Sequence, residues 1–190
     1  EFRRVLFRST EWGLGDLNQW TGPKISTLDK SEVLKQVVGT KGDVKRGEQA
    51  FGLLGCAKCH DVKPSESLRG PYLPNVAKTY RRDQLTEAIL MPSKSIAQGF
   101  VQNVFRLDDD SVVSGFVTKE SAQKILIRNA QGEVVEIEVE SITERKESPL
   151  SVMPEGLVDG VPVPALVDLV SYLESLRSEE HTSELQSRVD

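Results

Sequence analysis

Apolar residues along this chain follow two different periods, and the switch between them divides it. Over residues 43–54, Gly47, Ala50, Phe51 and Leu54 recur at helical spacing behind Asp43, a residue suited to an N-cap. That helix runs straight into residues 56–60. A short helical stretch over 31–38 precedes it. Another helix over 82–90 is ended by Met91-Pro92, because proline disfavours a helical residue before it. Residues 164–176 place Leu166, Leu169, Val170 and Leu173 on one side, and this closing helix could cross the 43–54 helix where Gly47 permits close approach. Between 60 and 97, Lys63-Pro64, Gly70-Pro71 and Leu73-Pro74 read as turns.

From Phe100 the period becomes two. Residues 100–107, 111–118, 124–129 and 133–139 read as short strands, separated by Asp108-Asp109-Asp110, Lys119-Glu120-Ser121 and Ala130-Gln131-Gly132. Glu136 to Glu140 alternates acidic and apolar residues, so one face is buried and one is wet. The pattern predicts a mainly α fold with a β-insert. A helical domain over 43–99 and 147–176 would carry a small antiparallel meander or barrel of four or five strands over 100–146. Residues 10–42, with Trp12 and Trp20, read as a linker or the end of a preceding domain.

The two ends stand apart from this pattern. Residues 1–9 (EFRRVLFRS) and the start of 177–190 (RSEEHTSEL) correspond to opposite strands of one DNA sequence, and both resemble translations of a sequencing adapter. Both segments are read as foreign and set aside, His181 with them. The charge balance survives that exclusion. The full chain has 24 basic and 29 acidic residues, a net −5, and the remainder has 19 and 24. Nothing here is basic enough for nucleic acid, and no apolar run could span a membrane.

The chemistry concentrates in Cys56-Ala57-Lys58-Cys59-His60, which holds the only two cysteines and one of two histidines. C-x-x-C-H is the spacing of a c-type haem attachment site. Two thiols on one helical turn can each form a thioether with a vinyl group of one porphyrin, and the next residue then lies where imidazole can ligate the iron. Chance would produce the pattern roughly once in ten thousand such chains, so the motif needs a chemical explanation. A redox-active thiol pair, a zinc half-site and a buried thiol pair are the other readings; zinc would need further ligands, drawn from carboxylates. No G-x-S-x-G elbow or glycine-rich phosphate loop is present. Haem attachment takes place outside the cytoplasm, so the motif implies a periplasmic or otherwise exported location.

The order of motifs resembles class I cytochrome c. They are the helix before C-x-x-C-H, Arg46-Gly47, Gly70-Pro71, residues 89–94 (ILMPSK), the β-insert, residues 150–157 (LSVMPEGL), and a last helix ending in YLESL. It is most similar to the C-terminal haem-binding domain of large bacterial multidomain dehydrogenase-like proteins, over about residues 42–176. Two positions depart from that pattern: Met91, where an aspartate usually precedes the proline, and Tyr72, where a small polar residue is usual. The resemblance implies a cytochrome c-like helical haem domain with Cys56 and Cys59 as anchors and His60 as one iron ligand. It implies that the Pro71 carbonyl accepts from His60 and that Tyr72 and Leu73, with Tyr80 and Leu85, wall the haem. With His181 set aside, the sixth ligand falls to Met91 or Met153. Met153, in a Pro-Glu-Gly loop just before the final helix, matches the position where cytochromes carry theirs.

The function so implied is electron transfer through one His/Met-ligated haem c, serving a redox partner protein or an adjacent dehydrogenase domain, without enzymatic activity of its own. A haem-based sensor or peroxidatic domain with an open sixth position is the alternative, as is a non-haem interaction module.

Overall fold

The computed structural model describes residues 16–63, 70–129 and 133–186, with side chains of the last helix described through Leu176. The segment 1–15, Trp12 included, and the side chains beyond Leu176 lie outside the described residues. Among the described residues are five α-helices: α1 (Lys30–Gly39), α2 (Val44–Leu53), α3 (Leu73–Thr79), α4 (Arg82–Leu90) and α5 (Val163–Gln186). Five strands form one antiparallel sheet: β1 (Gln102–Leu107), β2 (Val112–Glu120), β3 (Lys124–Arg128), β4 (Val134–Glu138) and β5 (Ile142–Glu147).

Local chemistry sets the helix starts. Asp29 caps α1 by accepting from the Ser31 amide at 2.8 Å, and Asp43 caps α2 by accepting from the Arg46 amide at 2.9 Å. α3 departs from expectation, because Leu73-Pro74 reads as a breaker. Proline is instead well suited to a first helical turn, where its missing N–H has no partner to lose.

The helices pack around α5, which buries Leu166, Leu169 and Val170. α2 crosses it at Gly47, where an added Cβ would lie 2.0 Å from the Asp168 carbonyl oxygen and 2.7 Å from Tyr172 Cβ. Phe51, one turn on, meets the Tyr172 ring at 5.6 Å between centroids. Asp168 is buried on α5 and is satisfied from three directions. Trp20 donates its indole N–H at 2.7 Å, the Asp43 amide donates at 2.8 Å, and Arg46 Nε sits 3.0 Å away as an ion pair. That Nε is not aligned to donate, and the guanidinium lies over the Trp20 ring at 5.5 Å. Arg82 joins α4 to two other helices, donating to the Val37 and Thr40 carbonyls at the end of α1 and to Ser171 and Glu174 on α5.

Residues read above as a linker belong to this core. Trp20, Ile25, Val33 and Val37 are buried in the same cluster as Phe51 and Leu166. The stretch before α1 also grips the loop before α5, with the Ile25 amide donating to the Val161 carbonyl at 3.0 Å and Ser26 to Asp159 at 3.1 Å.

The sheet has the order β4-β3-β2-β1-β5. Its ends must come together. A three-residue 3-10 turn, Val139–Ser141, joins β4 on one edge to β5 on the other. Four residue steps reach at most about 14 Å. Five strands laid flat would hold their edges about 19 Å apart. The sheet therefore curls into an incomplete barrel around Phe105, Ile125, Ile127 and Ile137, a hydrophobic core separate from the helical one. Gly115 permits the curl, since a Cβ there would lie 2.3 Å from the Arg128 carbonyl oxygen.

These findings correct the expected fold class. The chain is not mainly α with a cytochrome c-like helical domain and a minor β-insert. Among the described residues, five α-helices stand beside a five-stranded sheet with its own core, an α plus β architecture. The sequence pattern understates the weight of the β part because β5, Ile-Thr-Glu-Arg-Lys-Glu, is almost wholly exposed and shows no alternation. It is a charged edge strand, which blunts pairing with other chains.

Candidate functional site

α2 stops at Leu53 and the chain turns through Gly55, whose φ of 78° lies in the left-handed region where glycine has no Cβ to clash. A 3-10 turn, Cys56–Lys58, follows, so the motif begins on a fresh turn rather than continuing α2. The Cys56 carbonyl accepts from the Cys59 amide at 3.2 Å and from the His60 amide at 3.0 Å, closing the motif into one turn. Both thiols are free; Cys59 is exposed, and Cys56 is half-buried against the helical core. Burial pushes the Cys56 thiol up to about 11, with the neighbouring Cys59 adding a smaller push.

The His60 ring is oriented by a hydrogen bond to the backbone. Its Nδ1 lies 3.0 Å from the Pro71 carbonyl oxygen, the pairing expected from the resemblance. A carbonyl only accepts, so Nδ1 carries the proton and Nε2 keeps its lone pair. Burial lowers the His60 pKa, opposed by the Pro71 bond and the Asp61 charge. Gly70 lets the backbone approach: a Cβ there would lie 3.1 Å from the Cys59 carbonyl oxygen and 3.2 Å from His60 Cε1. Leu73 is buried at the start of α3, its amide donating to the Asp61 carbonyl at 3.1 Å, and Tyr72 is the half-buried residue capping that helix. Cys56, Cys59, His60, Pro71 and Leu73 thus share one neighbourhood, built from a turn, a Gly-Pro step and a helix start.

Both methionines pack against the same helical core as Cys56. Met91 caps the end of α4, half-buried, and lines a cleft of about 80 Å³ with Tyr80, Gln84, Glu87, Ala88 and Ser95. That space is far below the few hundred Å³ of ordinary small-molecule sites. Met153 is half-buried in the loop that leads from the sheet to α5 and packs against the helical core. Its amide donates to Ser151 Oγ at 3.1 Å, and the Ser151 amide donates to Ser93 Oγ at 3.2 Å. Leu85 is buried on α4 and Tyr80 is half-buried at the end of α3.

Sequence reasoning quoted the two serines only as members of the 89–94 and 150–157 segments and gave them no role, and it missed the Trp20–Asp168–Arg46 cluster. Asp168 did leave a signal: it is a lone acid in the apolar run Ala165 to Val170. Among the described residues, no group of three or more His, Cys, Asp or Glu side chains is arranged to hold a metal ion, and no helix is long and apolar enough to cross a membrane. No protein-family model matches the chain, and no curated protein matches it by sequence.

Proposed function

We propose that this chain is an electron-transfer module for one covalent c-type haem, which Cys56 and Cys59 would anchor through thioethers and whose iron His60 and Met153 would ligate. The His60–Pro71 hydrogen bond beside two free thiols on one turn carries the proposal. It fixes the ring orientation and strengthens Nε2 as a donor, as the outer partner of a ligating histidine does. Because burial favours the neutral ring, little protonated imidazole competes with ligation at neutral pH.

The donor set suits haem better than the other uses of the motif. Thiol–disulfide exchange needs an accessible thiolate, and burial disfavours the Cys56 thiolate, which leaves only the exposed Cys59 for that role. A zinc half-site finds no completing ligands among the described residues. The reading rests on the site and not on the fold, since one chemistry recurs on unrelated folds.

Bound haem would supply one-electron iron chemistry, and methionine ligation would favour a raised potential without an open coordination position. The chain anchors, orients and shields that group. Electrons would pass to or from a redox partner protein or an adjoining dehydrogenase domain, in the periplasm or another exported compartment where haem c is assembled.

The test is the absorption spectrum of protein matured in an oxidising compartment, oxidised and reduced, with and without carbon monoxide. A low-spin spectrum indifferent to carbon monoxide, with a methionine–iron charge-transfer band, is expected. Met153→Ala should abolish that band and admit carbon monoxide. Absence of covalent haem would overturn the proposal, and a carbon-monoxide-sensitive parent would turn it toward sensing or peroxidatic chemistry.

A further inference from the structure

Resting on that reading, we infer that Ser93 is a positioning residue for Met153, holding the ligand loop through Ser151. The observation is a two-step relay. Ser93 Oγ accepts from the Ser151 amide at 3.2 Å, and Ser151 Oγ accepts from the Met153 amide at 3.1 Å, both part-buried.

Ser93 can serve as an anchor because its turn is stiff. It follows Met91, the cap of α4, and buried Pro92, whose ring fixes φ. The Lys94 amide closes the turn on the Met91 carbonyl at 3.0 Å, and the Lys94 ammonium pairs with Glu87 near the end of α4. α4 is in turn fastened to α1 and α5 by Arg82. Met153 packs against the helical core, but the residues on either side of it are mostly exposed. It follows the sheet by a few residues, Leu150 before it is exposed, and Pro154 to Gly156 after it are exposed as well. The next described ties to the helical unit on that side are buried Val158 and the carbonyls of Asp159 and Val161, which accept from Ser26 and Ile25. Ser151 is therefore where the returning chain is first hydrogen-bonded to the helical unit, and Ser93 is its partner there.

A loop held this way resists displacement of its thioether by a competing ligand. Imidazole titrated into the ferric holoprotein reads that resistance. Losing one part-buried hydrogen bond corresponds to about a five-fold change in an equilibrium. Ser93→Ala should therefore bind imidazole about five-fold more tightly than the parent, and Ser93→Thr, which keeps a hydroxyl, should return to within about two-fold of it. In the haem-free protein, the Ser151 and Met153 amides should exchange hydrogen faster in Ser93→Ala. In a Met153→Ala background, Ser93→Ala should have no further effect on imidazole affinity, which separates positioning from a general loosening.

The outcomes are distinguishable. If Met153→Ala opens the site but Ser93→Ala leaves imidazole affinity and amide exchange unchanged, the inference is overturned and the ligand assignment stands. A further effect of Ser93→Ala in the Met153→Ala background also overturns it. If Met153→Ala alters neither spectrum nor affinity, the ligand assignment itself is wrong.

Discussion

Gly47→Ala adds one methyl group where the structure has no room for it. The new Cβ would lie 2.0 Å from the Asp168 carbonyl oxygen and 2.6 Å from its carbonyl carbon. Both are backbone atoms of α5, so no side chain can rotate away, and the helices must move apart. Overpacking a well-filled site costs about 1–3 kcal/mol, and a clash with backbone belongs at the upper end. Replacing a helical glycine with alanine returns up to about 1 kcal/mol of propensity. The net expectation is a loss of about 2 kcal/mol, or a melting temperature about 4–8 °C lower for a chain of this size. Gly39→Ala is the matched control. Gly39 is exposed at the end of α1, and a methyl group added there would have nothing within 4 Å, so the same change should be neutral or stabilising by up to about 1 kcal/mol. Urea titrations of the parent and both variants, followed by circular dichroism and by tryptophan fluorescence from buried Trp20, measure the pair. Equal stability of the two variants would refute the claim that α2 and α5 meet backbone to backbone.

Arg82→Lys should lose about 2–3 kcal/mol in the same titration, because one ammonium cannot reach the carbonyls of Val37 and Thr40 and the side chains on α5 together; an unchanged midpoint would show that these contacts are redundant. In the haem-free protein, the folded Cys56 thiol titrates at about 11 against an ordinary 9.0. The unfolded chain therefore binds fewer protons between those values, so stability is full below about pH 9 and falls as pH rises toward 11, by roughly 3 kcal/mol in total. Cys56→Ser should flatten that decline, and iodoacetamide should modify Cys56 of the parent slowly at pH 8 and faster toward pH 11, as peptide mapping would show. Gly70→Ala should crowd His60, whose Cε1 would be 3.2 Å from the new methyl; covalent haem should still form, with a spectrum more sensitive to carbon monoxide, and a parent-like spectrum would remove Gly70 from the site.

The helices with strong periodicity were legible because their apolar residues face one core: α2, α4 and the start of α5 lie where the spacing put them. The approach of α5 at Gly47 was legible too, since a small residue in an apolar stripe marks a close crossing. Other features were hidden for reasons that lie in the residues themselves. β5 has one half-buried side chain in six, so its strand character comes wholly from pairing with β1, a partner almost forty residues away in sequence that no local pattern reveals. Residues 16–28 looked like a linker because they hold only two buried apolar side chains, Trp20 and Ile25, and most of their remaining ties are backbone hydrogen bonds. At the site, C-x-x-C-H and Gly-Pro were visible because each is marked by fixed residue types at fixed spacing. The serines beside Met153 were not, because any hydroxyl at the right place would serve.

The neck of the sheet has a consequence for how the chain folds. The Ser148 amide donates to the Gln102 carbonyl at 2.7 Å, so the sheet begins and ends at nearly the same point in space. Its pairings are mostly between neighbours in sequence, and it has its own core, so it can form before the helices have met. Once formed, it acts as a knot in the chain that removes its own length from the loop separating α4 from α5. Loop-closure entropy grows only slowly with length, so the gain is on the order of 1 kcal/mol. The larger effect is one of order: α5 is delivered to α2 already tethered beside the end of α4, and the search that completes the helical core becomes a local one.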